Sequence, residues 1–293
     1  MATALANRGH HVEVATTNLA GTGRIPTSLG QETAVFGKAT FRIFPVGRPV
    51  SYRVSKAMGE FLNTSVSWFD IVHIHSLHLY HTVAAASACG RLRVPYLIRP
   101  HGALDPYHWN HHRLRKRLHW WAIEKRLITR SAGLHFVSDY EARRAAAACP
   151  GVTGWIVPLG VDTGELSVLA AGARRPPFFE PLRIVFLSRL AQKKNPRLVI
   201  DAVSKLVAAG YPAELLCAGP EEDFTAAHLA QWAARAGVLD RVTYLGPISL
   251  EDRARLLGAS HVLVLPSEDE NFGLVVVEAL SLGTPVLISS GVA

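Results

Sequence analysis

Residues 263–285 read LVLPSEDENFGLVVVEALSLGTP, and this stretch decides the fold of the second half of the chain. The short apolar run that ends at Pro266 predicts a buried strand. An acidic loop follows, and the apolar residues after Gly273 predict a helix that Gly283 should end. Pro285 then leads into a further strand. Strand, loop, helix and strand in this order are typical of a parallel sheet covered by helices.

The same alternation extends over most of the 293-residue chain, which is long enough for two domains. The glycine and proline residues of Asp162–Pro181 indicate a linker. We predict two doubly wound Rossmann-like α/β domains that face a cleft, residues 1–163 and 164–293. The predicted strands are His11–Thr16, Thr40–Pro45, Ile71–His75, Pro95–Arg99, Gly133–Val137, Trp155–Pro158, Arg183–Leu187, Ala213–Ala218, Val242–Leu245, His261–Leu265 and Val286–Ser289.

Both ends of the chain differ from a complete doubly wound domain. Met1–Arg8 predicts the last turns of a helix that ends at Gly9, and neither a strand nor a glycine-rich turn comes before it. No closing helix follows Val286–Ser289. We expect a fragment that is incomplete at both the N- and the C-terminus; the alternative is a native start at Met1 with a variant sheet.

The composition excludes several classes of protein. No apolar run approaches the ~18 residues that a membrane-spanning helix needs. The three cysteines are odd in number and far apart, which favours neither a disulfide framework nor a thiolate metal site. A reducing cytoplasm fits this composition.

Charge is distributed unevenly along the sequence. Residues 1–163 contain 19 Lys and Arg against 9 Asp and Glu, a balance of +10, whereas residues 164–293 contain 12 against 14, a balance of −2. A basic half suggests an anionic partner. Tyr107–Arg130 combines aromatic and basic residues, which suits an anionic membrane surface. The alternative is buried tryptophans with solvated charges; nucleic acid is not expected, because no module that binds it is recognisable.

Two glutamates in the first-quoted stretch are candidate ligand-binding groups. Glu270 lies in the acidic loop, and Glu278 lies on an otherwise apolar helix, where an ionised group is costly unless a ligand hydroxyl or a cation uses it. The backbone N–H groups of Phe272, Gly273 and Leu274 at the start of the helix suit an anion. Together they match a nucleotide sugar, which has phosphate between two sets of hydroxyls. The alternative is that Glu270 is solvated and Glu278 pairs with a base.

Two further segments follow predicted strands. Phe186–Pro196 reads FLSRLAQKKNP, and its Arg189 and Lys194 could bind phosphate oxygens, unless the loop is basic only for solubility. His101, in the sequence Arg-Pro-His-Gly, would project into the cleft, although a lone histidine is more often structural. The remaining histidines lack the spacing of a known metal motif, so we expect no metal site.

These segments together resemble glycosyltransferase family 4, whose members are retaining enzymes with the GT-B fold. The resemblance rests on the E-x7-E element from Glu270 to Glu278, the basic pair Arg189 and Lys194, and the His-Gly at His101. Ser188 and Asn195 stand where the family usually has glycine. Because asparagine tolerates left-handed backbone angles, the turn at Asn195 can survive.

The resemblance implies roles for these residues. Glu278 would bind the ribose hydroxyls of a nucleotide-diphosphate sugar, and Glu270 would contact the hydroxyls of the donor sugar. His101 would lie against the sugar and diphosphate. Backbone around Gly219 and Ile248 would contact the base. Arg189, Lys194 and the helix terminus would neutralise the diphosphate, so neither a metal nor another cofactor is implied.

The implied reaction moves a sugar from that donor to a saccharide or lipid-linked acceptor in cell-surface or exopolysaccharide synthesis. The anomeric configuration would be retained, and the protein would be cytoplasmic or peripheral at the inner membrane face. The alternatives are a nucleotide-sugar-binding fragment without catalysis, and an epimerase or a phosphorylase of the same fold.

Overall fold

The computed structural model describes residues 1–292 except 21–22, 25–31, 105–122, 149, 152 and 178–179. The chain divides into two compact units, Met1–Pro158 (unit 1) and Leu159–Ala293 (unit 2). Each unit is described by itself. No helix among the described residues is long and apolar enough to cross a bilayer.

Unit 1 alternates strands and helices, as the sequence predicts. Its helices are α1 Ala2–Asn7, α2 Lys56–Ser65, α3 Tyr80–Leu92, α4 Lys125–Arg130 and α5 Asp139–Ala148. Its strands are β1 Glu13–Thr17, β2 Leu19–Ala20, β3 Gly23–Arg24, β4 Glu32–Phe36, β5 Ala39–Phe44, β6 Val72–His75, β7 Tyr96–Arg99, β8 Gly133–Phe136 and β9 Gly154–Ile156.

The strands of unit 1 form separate sheets. Strands β6, β7, β8 and β9 make a parallel sheet in sequence order, and a second sheet has the order β1-β5-β4. In the second sheet β1 is parallel to β5, and β4 is antiparallel to it. The antiparallel strand β4 was not predicted: it ends in the exposed residues Val35 and Phe36, so it lacks the apolar pattern of a buried strand.

Both of these sheets contribute to one apolar core. Phe44 of β5, Ile74 of β6 and Ile98 of β7 belong to the same buried cluster, which also contains residues of α2 and α3. Helix α2 was not predicted either, although Ser55 begins it by accepting a hydrogen bond from the Met58 N–H at 3.4 Å.

Unit 2 is a doubly wound domain. Its strands are β10 Leu182–Leu187, β11 Ala213–Ala218, β12 Val242–Tyr244, β13 Val262–Leu265 and β14 Val286–Ile288. All pair in parallel, in the order β12-β11-β10-β13-β14. The helices are α6 Thr163–Leu169, α7 Pro196–Ala208, α8 Ala226–Arg235, α9 Leu250–Gly258 and α10 Leu274–Ser281.

The predicted linker is partly helical, which corrects the sequence interpretation. Helix α6 occupies its first third, and the carboxylate of Asp162 accepts the Glu165 N–H at 2.9 Å as its N-terminal cap. Leu166 is buried, and this anchors the helix to unit 2. The sequence did not predict this helix, because the small residues around Gly164 favour a loop.

Phe186→Ala should destabilise unit 2 by about 3–5 kcal/mol, because the Phe186 side chain is fully buried in the core between β10 and α7. Chemical denaturation followed by circular dichroism measures this loss. Leu198→Ala on α7 is the control: Leu198 is 56% exposed, so its change should stay within about 0.5 kcal/mol. Equal effects of the two changes would contradict the described packing.

Candidate functional site

The carboxyl edge of the unit 2 sheet brings several predicted residues together. Strand β10 is central, with β11 on one side and β13 on the other, so the strand order reverses direction beside it; ligands bind at such a point in doubly wound folds. The loops that follow β10 and β13 meet at this edge. The Glu268 N–H donates to the Lys193 carbonyl at 2.8 Å, and the Asn195 side-chain amide donates to the Pro266 carbonyl at 3.1 Å.

These loop contacts place Lys194 against Glu270. The Lys194 ammonium is buried and forms an ion pair with the Glu270 carboxylate. The Glu270 N–H donates to the Gly291 carbonyl at 2.8 Å, and a side chain at Gly291 would collide with the backbone of Glu268. Two residues that the sequence suggested as separate ligands of a donor are thus in direct contact.

Asn195 adopts the backbone conformation that the sequence analysis required. Its φ and ψ are both 49°, in the left-handed region, and it is followed by Pro196 at the first position of α7. The expectation that asparagine preserves this turn is confirmed. The turn directs Lys194 inward.

Arg189 is exposed and forms an ion pair with Glu222. The same loop is tied to the next acidic residue, since the Gln192 N–H donates to the Asp223 carboxylate at 2.8 Å. Glu222 was not among the predicted site residues. The sequence does contain a pattern that indicates it, because the acidic run Glu221-Glu222-Asp223 follows β11 at the same edge of the sheet.

The glycine before α10 holds the start of that helix. Gly273 has φ 61°, and a Cβ there would lie 3.0 Å from Val292 Cγ1. Helix α10 begins at Leu274, within two residues of the predicted start. The segment Phe272–Leu274 therefore lies at the beginning of the helix, as the anion-site prediction requires.

Glu278 is a buried carboxylate with unused hydrogen-bonding capacity. Its residue is 4% exposed, and its Oε2 accepts no hydrogen bond from the described residues. The Nε of Arg253 lies 3.4 Å away from that oxygen without hydrogen-bond geometry. Burial raises the pKa of Glu278, and the charge of Arg253 opposes this shift. The carboxylate can therefore accept hydrogen bonds from a ligand.

The two suggested base-contacting residues lie after β11 and β12. Gly219 has φ 134°, and a side chain there would collide with the Ser188 carbonyl. The Gly219 N–H donates to the Gly246 carbonyl at 2.9 Å. Ile248 is half-buried against the core cluster of β10 and β13. Close backbone approach, rather than side-chain chemistry, characterises this part of the edge.

In unit 1, His101 follows β7 in a strained turn. Its φ is 53°, and Gly102 follows with φ 75°. The buried carboxylate of Glu141 accepts the Gly102 N–H at 2.8 Å and the Val137 N–H at 2.9 Å, so it joins the loops after β7 and β8. Glu141 was missed, although Ser138-x-x-Glu141 has the spacing of a capping box.

The His101 imidazole contacts a second histidine, since its Nε2 lies 2.9 Å from the Nδ1 of His75. Burial, together with the charge of Arg99 and neighbouring histidines, lowers the pKa of His101 to about 4. The ring is therefore neutral at pH 7, and it can accept or donate a hydrogen bond without carrying charge.

The described residues bear only in part on two other predictions, the absence of a metal site and the binding of a membrane surface. Among the described residues, no three His, Cys, Asp or Glu side chains are placed to hold a metal ion. Most of Tyr107–Arg130 lies outside the described residues, because 105–122 is not described; its last part is α4. Binding to a membrane surface stays a prediction.

Two family models match the chain. Residues 1–165 match "Glycosyltransferase Family 4", and residues 174–292 match "Glycosyl transferases group 1". The first match alone covers more than half of the sequence. The chain belongs to glycosyltransferase family 4.

Curated relatives of this family 4 chain include D-inositol 3-phosphate glycosyltransferases. The Mycobacterium marinum protein is 38% identical over 112 residues, which are 36% of this chain and 23% of that protein. The Mycobacterium tuberculosis (strain F11) protein is 32% identical over 182 residues, or 57% of this chain and 36% of that protein. The matches thus span well under two thirds of these relatives.

Solved structures share the fold of the family 4 chain. HepE of Anabaena in complex with UDP and glucose has a TM-score of 0.67 at 18% identity and covers 96% of this chain and 82% of its own. Sucrose-phosphate synthase of Thermosynechococcus elongatus has a TM-score of 0.69 at 18% identity, with coverages of 99% and 74%. A Burkholderia xenovorans trehalose-phosphate synthase in complex with glucose-6-phosphate has a TM-score of 0.69 at 14% identity. The match covers 96% of this chain and 86% of that one.

Glu278→Gln should weaken the binding of nucleoside diphosphates by at least about tenfold, because it removes a charged hydrogen-bond acceptor. It should also raise the melting temperature at pH 7, since burial raises the pKa of Glu278 and its ionisation therefore opposes folding. This gain should disappear below about pH 4.3, where an unfolded glutamate also holds its proton. Calorimetry measures both effects.

Glu251→Gln on α9 is the matched control. Glu251 is half-exposed and pairs with Arg255 one turn away, so its change should alter neither binding nor melting appreciably. Unchanged UDP, GDP and ADP binding in Glu278→Gln would exclude the role given to Glu278.

Proposed function

We propose that this protein transfers a sugar from a nucleotide-diphosphate donor to a saccharide or lipid-linked acceptor, with retention of the anomeric configuration. The observation that carries the proposal is the carboxyl edge of unit 2, which combines Glu278, a buried acceptor with free capacity, and the pair of Lys194 with Glu270. Family membership supports the reaction class, and the fold neighbours include proteins in complex with UDP and glucose.

The proposed donor site has four parts. Glu278 accepts hydrogen bonds from the ribose hydroxyls. The diphosphate lies against the Phe272–Leu274 amides, Arg189 and Lys194. It replaces the carboxylates of Glu222 and Glu270, which pair with these two cations in the ligand-free protein. Glu270, released from Lys194, then contacts hydroxyls of the donor sugar. The backbone near Gly219 and Ile248 contacts the base.

The chemical step requires stabilisation of a leaving diphosphate. The acceptor hydroxyl oxygen forms a bond to the anomeric carbon as the bond from that carbon to the diphosphate oxygen breaks. The hydroxyl proton passes to the departing phosphate, on the same face of the sugar. Negative charge grows on the diphosphate during this step, and the Lys194 and Arg189 cations stabilise it without a metal ion. His101 supplies a neutral hydrogen-bonding group in this proposal.

The suggested setting is synthesis of cell-surface or exopolysaccharide material by a cytoplasmic protein, peripheral at the inner membrane face. The basic balance of residues 1–163 supports this setting.

Lys194→Met should weaken UDP binding by at least about tenfold, since a buried cation that faces the diphosphate is lost. Lys193→Met is the matched control, because it removes the same charge from the neighbouring position of the same loop. Isothermal titration with UDP, GDP and ADP measures the affinities and identifies the base. Arg189→Gln, on an exposed side chain, tests the same site if Lys194→Met does not fold.

Equal losses in Lys194→Met and Lys193→Met would show that only net charge matters and would contradict a defined phosphate contact. Incubation of the best-bound nucleotide sugar with saccharide acceptors, followed by NMR of the product, tests transfer and anomeric configuration. Donor binding without transfer would favour the binding-fragment alternative. Isomerisation of the donor without an acceptor would favour an epimerase.

A further inference from the structure

One face of the four-stranded sheet in unit 1 is polar. Ile74, Ile98 and Leu134 alternate onto the other face and belong to the apolar core. Alternation therefore places His73 and His75 of β6, Arg99 of β7 and His135 of β8 on the opposite face. Strands of parallel sheets are usually apolar on both faces, so this row of nitrogen-bearing side chains calls for a chemical explanation.

Arg99 is the centre of this row. It is the last residue of β7 and the register partner of His75, so the two side chains leave the sheet side by side. Arg99 is only 6% exposed, yet its Nε has no hydrogen-bond partner among the described residues. A buried guanidinium N–H without an acceptor is costly, which indicates that a ligand supplies one.

The acidic group whose charge acts on Arg99 does not fill this role. Glu141 is close enough for its charge to act on the pKa of Arg99, but both of its oxygens are engaged by the N–H groups of Gly102 and Val137. Glu141 balances the charge of Arg99 at a distance and leaves the Nε donor open.

The neighbouring histidines are kept neutral mainly by burial. Burial lowers the pKa of His73, His75 and His101 to about 4, and the charge of Arg99 contributes to each shift. Their ring nitrogens are joined in pairs: His75 to His101 at 2.9 Å, and His73 to His135 at 3.2 Å. The outermost member, His101, is exposed, so the row can be reached from solvent.

We propose that Arg99, His75 and His101 form a binding site for a phosphate-type oxyanion at the carboxyl edge of the unit 1 sheet. A guanidinium binds such oxygens through several N–H donors, and imidazoles add donors that can become charged. The chemistry favours an oxyanion over a sugar hydroxyl, because only an anion offsets the cation and lets the histidines take up protons. The phosphate belongs to a phosphorylated acceptor, and only this assignment rests on the proposed function.

The first test uses inorganic phosphate, titrated at pH 7 into the full 293-residue chain. Binding should raise the imidazole pKa of His75 and His101 by about 1 unit or more, as a neighbouring opposite charge does. NMR of the histidine rings measures this, with His75→Gln and His101→Gln to assign the signals. Histidine pKa values that stay unchanged at saturating phosphate would overturn the proposal.

The second test changes the guanidinium. Arg99→Gln should weaken phosphate binding by at least about tenfold, whereas Arg91→Gln, on an exposed residue of α3, should leave the affinity unchanged. Circular dichroism verifies folding. If Arg99→Gln does not fold, Arg99→Lys retains the charge but lacks the Nε donor and should still weaken binding. Equal affinities in the wild type and the folded Arg99 variant would refute the site.

Sulfate provides a probe whose charge does not change over the relevant pH range. Since the bound anion raises histidine pKa values, sulfate affinity should increase as pH falls from 7 towards 5. The titratable and charged groups facing the site are His73, His135, His81, Arg99 and Glu141. In a His75→Gln/His101→Gln double variant this increase should be strongly reduced, and an unreduced increase would contradict the role of these two rings.

Competition then identifies the source of the phosphate. Displacement of inorganic phosphate by glucose 6-phosphate but not by UDP assigns the site to an acceptor, and the reverse would exclude this assignment. Glu278→Gln separates the two proposals, because it should impair UDP binding in unit 2 and leave phosphate binding at Arg99 intact. Phosphate binding without any nucleotide binding would leave this site standing and exclude the proposed function.

Discussion

The ion pair between Lys194 and Glu270 is the interaction on which the arrangement of the unit 2 site depends. Burial of a lysine ammonium costs several kcal/mol unless an opposite charge lies against it. The loop after β13 supplies that charge, and backbone hydrogen bonds to Lys193 and Gly291 hold the loop in place. The pair therefore fixes the two loops that flank β10, and it keeps the cation at the edge where a phosphate would need it.

The two parallel sheets handle charge differently. In unit 2 the interior is apolar on both sides of β10, and the ionisable groups collect at the carboxyl edge. In unit 1 the face that carries Arg99 and the histidines is itself polar. A charge at a sheet edge can be solvated or paired by a loop. Arg99 lies within the face, where the charge of Glu141 acts on it but its Nε has no hydrogen-bond partner in the part of the chain that the structure describes.

The sequence predicts those parts of this protein that follow from a local pattern of residues. Strands such as Val262–Leu265 are apolar on both faces, and their composition is sufficient to locate them. Glu278 was recognised because a carboxylate on an apolar helix is costly wherever the helix packs. Contacts between distant segments, such as Arg189 with Glu222 and Glu141 with Gly102, depend on loop conformations that the spacing of residues does not encode. Strand β4 and helix α6 were not predicted because exposed apolar residues in β4 and Gly164 in α6 depart from the local patterns of a buried strand and a helix.

Glu278 and Arg99, which we propose bind ligands, share a property that the buried His261 lacks. Buried His261 in unit 2 has both ring nitrogens satisfied, one by the Arg183 N–H at 2.9 Å and one by the Pro176 carbonyl at 2.8 Å, and it therefore stabilises the fold. Glu278 and Arg99 are buried to a similar extent, but each has a polar atom without a hydrogen-bond partner among the described residues. The folded protein bears that cost in the absence of ligand, as functional sites commonly do. The sign of each charge indicates the missing partner: hydroxyl or amide donors for the carboxylate, and oxyanion acceptors for the guanidinium.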